Sequence, residues 1–247
     1  MSALGAEQDD LDHLISGLDE QGWQRASRCT GWTVADVVLH LAQTNELATA
    51  SARDRFADVA DDFARAGGRP TTIDDVAAQR VEQERAGSGR EVADRWRVSV
   101  DTLRTALLDR DPRDRVQWVV GQLSVLTLAT TRIAETWIHA GDVAHAFGVV
   151  PAPTGRLRHI ARLAWRTLPY AFARAGESLT GPVAFALHGP NDDRWEFGIE
   201  TAPVTTIRGP ALDLCLVAAR RLEPANADLE GTGPDAERVL ELVRTYA

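Results

Sequence analysis

The hydrophobic period changes once along this chain, and that change limits the folds open to it. Up to about residue 150, apolar residues recur three and four apart, as in Leu11, Leu14, Ile15 and Leu18. That spacing is the mark of amphipathic helices. Beyond residue 155, the runs PVAFALHG, RWEFGIE and VTTIRG alternate with a period of two, as strands do. An all-helical part, 1–150, therefore precedes an α+β part, 151–247, and the fold class is α+β.

Local signals place the elements. TVADVVLHLAQTNELATASARDRF opens on Thr33 and Asp36, a capping-box spacing that predicts a helix from Val34 into the 50s. GGRP at 67–70 is a break. Helices are expected near 74–86 and 90–109, then a turn at DPRD, then a long helix over 124–147 that stops at Gly148. Short connections favour an antiparallel bundle. In the second part, RLRHIARLAWRTLPYAFARAG is a helix bent or interrupted at Pro169. PALDLCLVAARR is a helix with proline at its first position, ADLEG a last strand, and PDAERVLELVRTYA a closing helix.

Composition narrows the chemistry. All 27 basic residues are arginine, so a lysine Schiff base and a P-loop are excluded. A net charge of −9, with no basic stripe, argues against nucleic acid and anionic membrane surfaces as partners. The most apolar run, Val116 to Ala129, is interrupted by Gln117, Gly121, Gln122 and Ser124 and is too short to span a bilayer. Two cysteines without a CxxC make no disulfide framework, and the acidic N-terminus has no apolar signal core. A cytoplasmic protein, monomer or homodimer, acting on a small molecule is the expectation.

The stretch AETWIHAGDVAHAFG sets Glu135, His139 and Asp142 on an otherwise apolar helix. Buried ionisable groups are costly unless paired or bound to a metal. Glu135 and His139 are four apart, hence on one face. His40, in VVLHLA, also lies among apolar neighbours. Two bundle helices would then aim His40, Glu135 and His139 into one interior. Two imidazoles and a carboxylate form a zinc site with an open position, or a site for iron or nickel. The plainer alternative is a Glu–His pair and a core histidine.

The segment CTGWTVADVVLHLA, followed at a distance by ETWIHAGDVAHAFG, resembles the mycothiol-dependent maleylpyruvate isomerase family, within the wider DinB-like metalloenzyme superfamily. The resemblance implies a DinB-like antiparallel helix bundle and a small C-terminal domain resembling sterol-carrier folds, to which GPALDLCLVAARR is similar. It implies Zn(2+), held by His40, Glu135 and His139, and mycothiol as the thiol. RIAETWIHAGDVAHAFGV and RLRHIARL are most similar to a subgroup of metal-binding proteins without an assigned reaction. That subgroup carries a Pro-Trp-Gly-Pro-like segment ahead of the metal helix. Here VQWVVGQLSVLTLATTR keeps Trp118 and Gly121 but not the prolines, which points to a greasier substrate.

Around these ligands, Asp142 is placed to fix the tautomer of a ligand imidazole, or else to pair with Arg132 or an arginine of the second helix. Asp36 reads as a cap. Cys29 reads as structural, since no activating base is evident, and Cys215 as core. Arg221, with Arg220 beside it, matches the family's anion-holding arginine, against a solvated-surface alternative. Trp118, with Trp32 and Trp137, is a candidate pocket wall, against the plainer reading of aromatic residues in the core. His145 is packing or surface, and His13, His159 and His188 have no assigned role.

Three functions follow. The first is a zinc-dependent isomerase or S-transferase, in which a metal-activated thiol adds to an electrophilic small molecule and is expelled or retained. The second is a thiol-independent Lewis-acid enzyme acting on a natural-product intermediate. The third is a non-enzymatic binder of hydrophobic ligands.

Overall fold

A computed structural model describes residues 1–59, 73–85, 87–119 and 121–245. Residues up to Pro151 form one compact unit and those from Ala152 another. The break expected at 67–70 lies outside the described residues.

The first unit contains α1 (Ser2–Ile15), α2 (Glu20–Trp23), α3 (Val34–Ala52), α4 (Ile73–Glu84), α5 (Gly89–Leu108), β1 (Arg115–Trp118), β2 (Gly121–Ser124) and α6 (Val125–Ala146). The start of α3 is fixed by the expected capping box. Thr33 Oγ1 accepts from the Asp36 amide at 3.2 Å, and Asp36 Oδ2 accepts from the Thr33 amide at 2.8 Å. Ser88 and Glu91 repeat the device at α5, and Ser124 caps α6 through the Thr127 amide. The long helix α3 packs against both α5 and α6. Its apolar residues Val37, Val38 and Leu41 meet Leu11 and Ile15 of α1, Trp96 of α5 and Val143 of α6 in the core. Gly89 permits the close start of α5: a Cβ there would stand 2.1 Å from the Trp23 ring.

The first unit is not wholly helical. The hairpin β1–β2 pairs Val116 with Leu123 and Trp118 with Gly121. Val116 and Trp118 are buried while Arg115 and Gln117 are exposed, so the strand obeys period two for only four residues. Such a run inside VQWVVGQL is too short to stand out from an apolar helix start.

The second unit contains α7 (Leu157–Arg174), β3 (Val183–His188), β4 (Arg194–Phe197), β5 (Thr205–Pro210), α8 (Ala211–Ala218), β6 (Glu230–Thr232) and α9 (Ala236–Leu242). The sheet order is β4-β3-β5-β6; β3 and β5 are parallel and the outer pairs antiparallel. α7 continues through Pro169, which interrupts no more than its own missing N–H. Trp165 of α7 donates from Nε1 to the Val183 carbonyl at 2.8 Å and stacks on Phe197, fastening the helix to the sheet. Pro210 is the cap of α8 rather than its first residue. No helix among the described residues is long and apolar enough to cross a membrane.

Candidate metal centre

The capping box starts α3 at Val34, which puts His40 in its second turn, among Val37, Val38 and Leu41. Glu135 and His139 stand one turn apart near the middle of α6. α3 and α6 pack together, and the three side chains meet. His40 Nε2 lies 3.1 Å from Glu135 Oε1, and His139 Nε2 lies 3.6 Å from that same oxygen. The two imidazole centroids are 5.0 Å apart, nearly edge to face. One ligand atom from each residue falls within 4.8 Å of the others. His40 and Glu135 are each 7 % exposed.

A second layer surrounds this one. Asp142, fully buried, accepts from His139 Nδ1 at 3.0 Å. Cys29 Sγ, in the loop before α3, donates to the same Asp142 oxygen at 3.2 Å and stands 3.8 Å from His139 Nδ1. Arg132, one turn before Glu135, places Nη2 3.7 Å from Glu135 Oε2. The Trp118 ring lies under the Arg132 guanidinium, 5.2 Å from Cζ, and the Trp32 ring lies 5.2 Å from that of His40.

The environment separates the two imidazoles. Burial pushes the His40 pKa down, only partly opposed by its hydrogen bond to Glu135. Burial acts the same way on His139, but Asp142, Cys29 and Glu135 outweigh it and hold its pKa well above the ordinary value. Burial pushes Glu135 up; His139, His40 and Arg132 outweigh that and hold its carboxyl well below the usual range. Burial also lowers the Arg132 value. Glu135 is therefore ionised, His40 neutral, and His139 fixed with Nδ1 toward Asp142 and Nε2 toward Glu135.

The donor set suits a divalent metal. Two nitrogens and one oxygen converge, the carboxylate is charged, and one imidazole has the outer carboxylate partner that ligating histidines usually have. Cys29, His139 and Asp142 also bring three ligand atoms within 4.8 Å. They meet on the Nδ1 side of His139, where they orient that ring.

Other expected residues fall elsewhere. Asp36 is occupied by its cap and by Arg85 at 2.8 Å, as a capping residue should be. Asp142 pairs with His139 rather than with Arg132, which turns to Glu135. Arg220 and Arg221 follow α8; the first donates to the Glu241 carbonyl at 2.7 Å and the second to that of Ala219 at 3.0 Å. Trp137 is half-buried, and His13, His145, His159 and His188 are exposed. Cys29 and Arg132 were missed as members of the site. The three-residue step from Arg132 to Glu135 was a legible signal; the loop position of Cys29 offered none.

Comparison with known proteins agrees with this architecture. Residues 4–144 match the mycothiol maleylpyruvate isomerase N-terminal domain, and residues 166–239 match the C-terminal domain of the same family. The chain is 34% identical to an uncharacterized protein of Mycobacterium tuberculosis, Rv0036c in strain ATCC 25618 / H37Rv and MT0041 in strain CDC 1551 / Oshkosh. That match covers 99% of this chain and 93% of the relative. The crystal structure of the mycothiol-dependent maleylpyruvate isomerase shares its fold, with a TM-score of 0.59 at 16% identity over 90% of this chain and 88% of that one. A point mutant of that enzyme gives 0.61 over 93% and 90%. With both of its parts matched and a relative this similar over nearly its whole length, the chain belongs to the mycothiol maleylpyruvate isomerase family.

Proposed function

We propose that this chain is a metal-dependent enzyme that binds one divalent ion, zinc in the first instance, through His40 Nε2, Glu135 Oε1 and His139 Nε2. Its reaction is the isomerisation or S-conjugation of an electrophilic small molecule by a thiol, with mycothiol as that thiol. One observation carries the metal reading: a single ionised oxygen, Glu135 Oε1, faces two imidazole nitrogens from different helices at 3.1 and 3.6 Å in a buried setting. A divalent cation there supplies a Lewis acid able to lower the pKa of a thiol that reaches it. Family membership, and the mycothiol dependence of the solved enzyme that shares the fold, support the thiol reading.

The chain's own residues prepare that chemistry. Burial keeps His40 neutral; its Nε2–H donates to Glu135 Oε1, and Nε2 presents a lone pair once that proton moves to Nδ1. Asp142 holds His139 Nδ1–H, so Nε2 presents its lone pair once its proton leaves. Cys29 donates to Asp142 and fixes the carboxylate that fixes the imidazole. Trp32 walls the His40 side.

The test is elemental analysis of the native protein and of His40→Ala, Glu135→Ala and His139→Ala, followed by calorimetric titration of mycothiol into the metal-loaded protein. About one equivalent of metal in the native protein, lost in each folded variant, is expected, with mycothiol binding only when metal is present. A native protein that takes up no added metal overturns the reading. A loaded protein indifferent to mycothiol overturns its thiol half.

A further inference from the structure

Arg132 is 1 % exposed, yet two of its donors are idle. Nε and Nη1 make no hydrogen bond. Nη2 lies 3.7 Å from Glu135 Oε2, beyond hydrogen-bonding distance, and Trp118 covers one face of the guanidinium. Buried N–H groups without acceptors are rare and call for an explanation. Position sharpens the problem. α6 anchors Arg132 one turn before Glu135, so a fixed positive charge sits directly behind a ligand to a cation. A guanidinium so placed disfavours a bare cation while favouring a cation and an anion together.

Building on the metal reading above, we propose that Arg132 is an anion-binding residue of this centre, whose unpartnered guanidinium donors hold the carboxylate of a small ligand that also reaches the metal. His139, the most open of the three ligands with 13 % of its side chain exposed, marks the side from which a ligand enters. Trp118 is then the platform that holds the guanidinium flat. The carboxylate belongs to the substrate. Because coupling between sites is reciprocal, the anion tightens the cation as much as the cation tightens the anion.

The experiment measures cobalt(II) and zinc(II) affinity of metal-depleted full-length protein by competition with a chromophoric chelator, alone and with acetate, 2-mercaptoethanol or 3-mercaptopropionate. Native protein, Arg132→Met and Arg132→Lys are compared, with melting profiles of the metal-free forms as the folding control. Acetate is expected to tighten the metal about tenfold in native protein and to leave Arg132→Met unaffected. That variant should bind the bare ion at least as tightly as the native chain. Arg132→Lys keeps the charge without the fork, so it should show a reduced acetate effect, and it carries the test if the Met variant does not fold. A 3-mercaptopropionate effect equal to that of acetate and 2-mercaptoethanol supplied together is expected for a carboxylate that comes with the substrate; a larger effect overturns that assignment. An Arg132→Met protein that loses bare-metal affinity, or an acetate effect equal in native and variant proteins, overturns the proposal. A native protein that binds no metal defeats the reading on which the proposal rests. Metal bound with no response to carboxylate defeats only the role of Arg132.

Discussion

The Glu135–Arg132 pair offers the sharpest energetic test of the buried cluster. In metal-free protein the opposed charges are 3.7 Å apart, with side chains 9 % and 1 % exposed. At an effective dielectric of about 20, two unit charges at that separation attract by about 4 kcal/mol. His40 and His139 share the Glu135 carboxylate, which reduces the part belonging to Arg132 alone. A coupling of about 3 kcal/mol is therefore expected. Glu135→Gln keeps the shape, removes the charge and leaves a buried guanidinium with little besides the Trp118 ring. It should destabilise the metal-free fold by about 3 kcal/mol or more. Arg132→Met removes the other partner. The double variant should be far less destabilised than the sum of the singles, since neither charge is then stranded. Urea unfolding of the four metal-free proteins at neutral pH closes the cycle. High salt should change the coupling little, because the pair is shielded from bulk ions. A coupling below about 0.5 kcal/mol, within the usual error of additivity, would refute the claim that these charges compensate one another.

Further outcomes can be checked with the same material. Folded His139 keeps its proton to a higher pH than the unfolded chain does, so its contribution to stability is complete below about pH 6.5 and is lost as pH rises through the folded value. The urea midpoint of metal-free protein should accordingly fall above that pH, and Asp142→Asn should flatten the decline; an unchanged slope would place its origin elsewhere. His40, displaced downward, titrates below this window. Iodoacetamide should label Cys29 and spare Cys215, which is fully buried with its thiol pushed up by desolvation; mass spectrometry showing Cys215 modified in folded protein would contradict the packing. Arg220 holds the left-handed position after α8, at φ 59°, where glycine is the usual occupant. Arg220→Gly should raise stability by about 1 kcal/mol, and a loss on chemical unfolding would show that its bond to the Glu241 carbonyl outweighs the relieved strain.

What could be inferred from sequence follows the range of the interactions involved. α3 and α6 were legible because caps and helical periodicity are local: Thr33 with Asp36, and Ser124 ahead of an apolar face. The pair Glu135 and His139 was legible for the same reason, and His40 because a histidine among Val37, Val38 and Leu41 has to face inward. The hairpin at 115–124 was hidden by its brevity, since four residues of alternation inside an apolar run fit either period. Cys29 was hidden because its partner is 113 positions away and its loop has no period to indicate a direction.

The two imidazoles illustrate why ligand type and spacing are not enough to describe this centre. His40 is buried and His139 largely so, both face Glu135 Oε1, and burial alone would depress both. They diverge because His139 has a carboxylate on its far nitrogen and His40 does not. Asp142 is supplied by the same helix one turn later, and Cys29 reaches it from the loop that leads into α3. The segment that begins the His40 helix therefore also orients the His139 ring, so a change at Cys29 acts on the ligand of the opposite helix through Asp142. Cys29→Ala should for that reason weaken metal binding by less than Asp142→Asn does, and adding it to Asp142→Asn should cost little more, because both act through one hydrogen-bonded chain. Full additivity of the two in metal affinity would mean that Cys29 acts on the centre by a separate route.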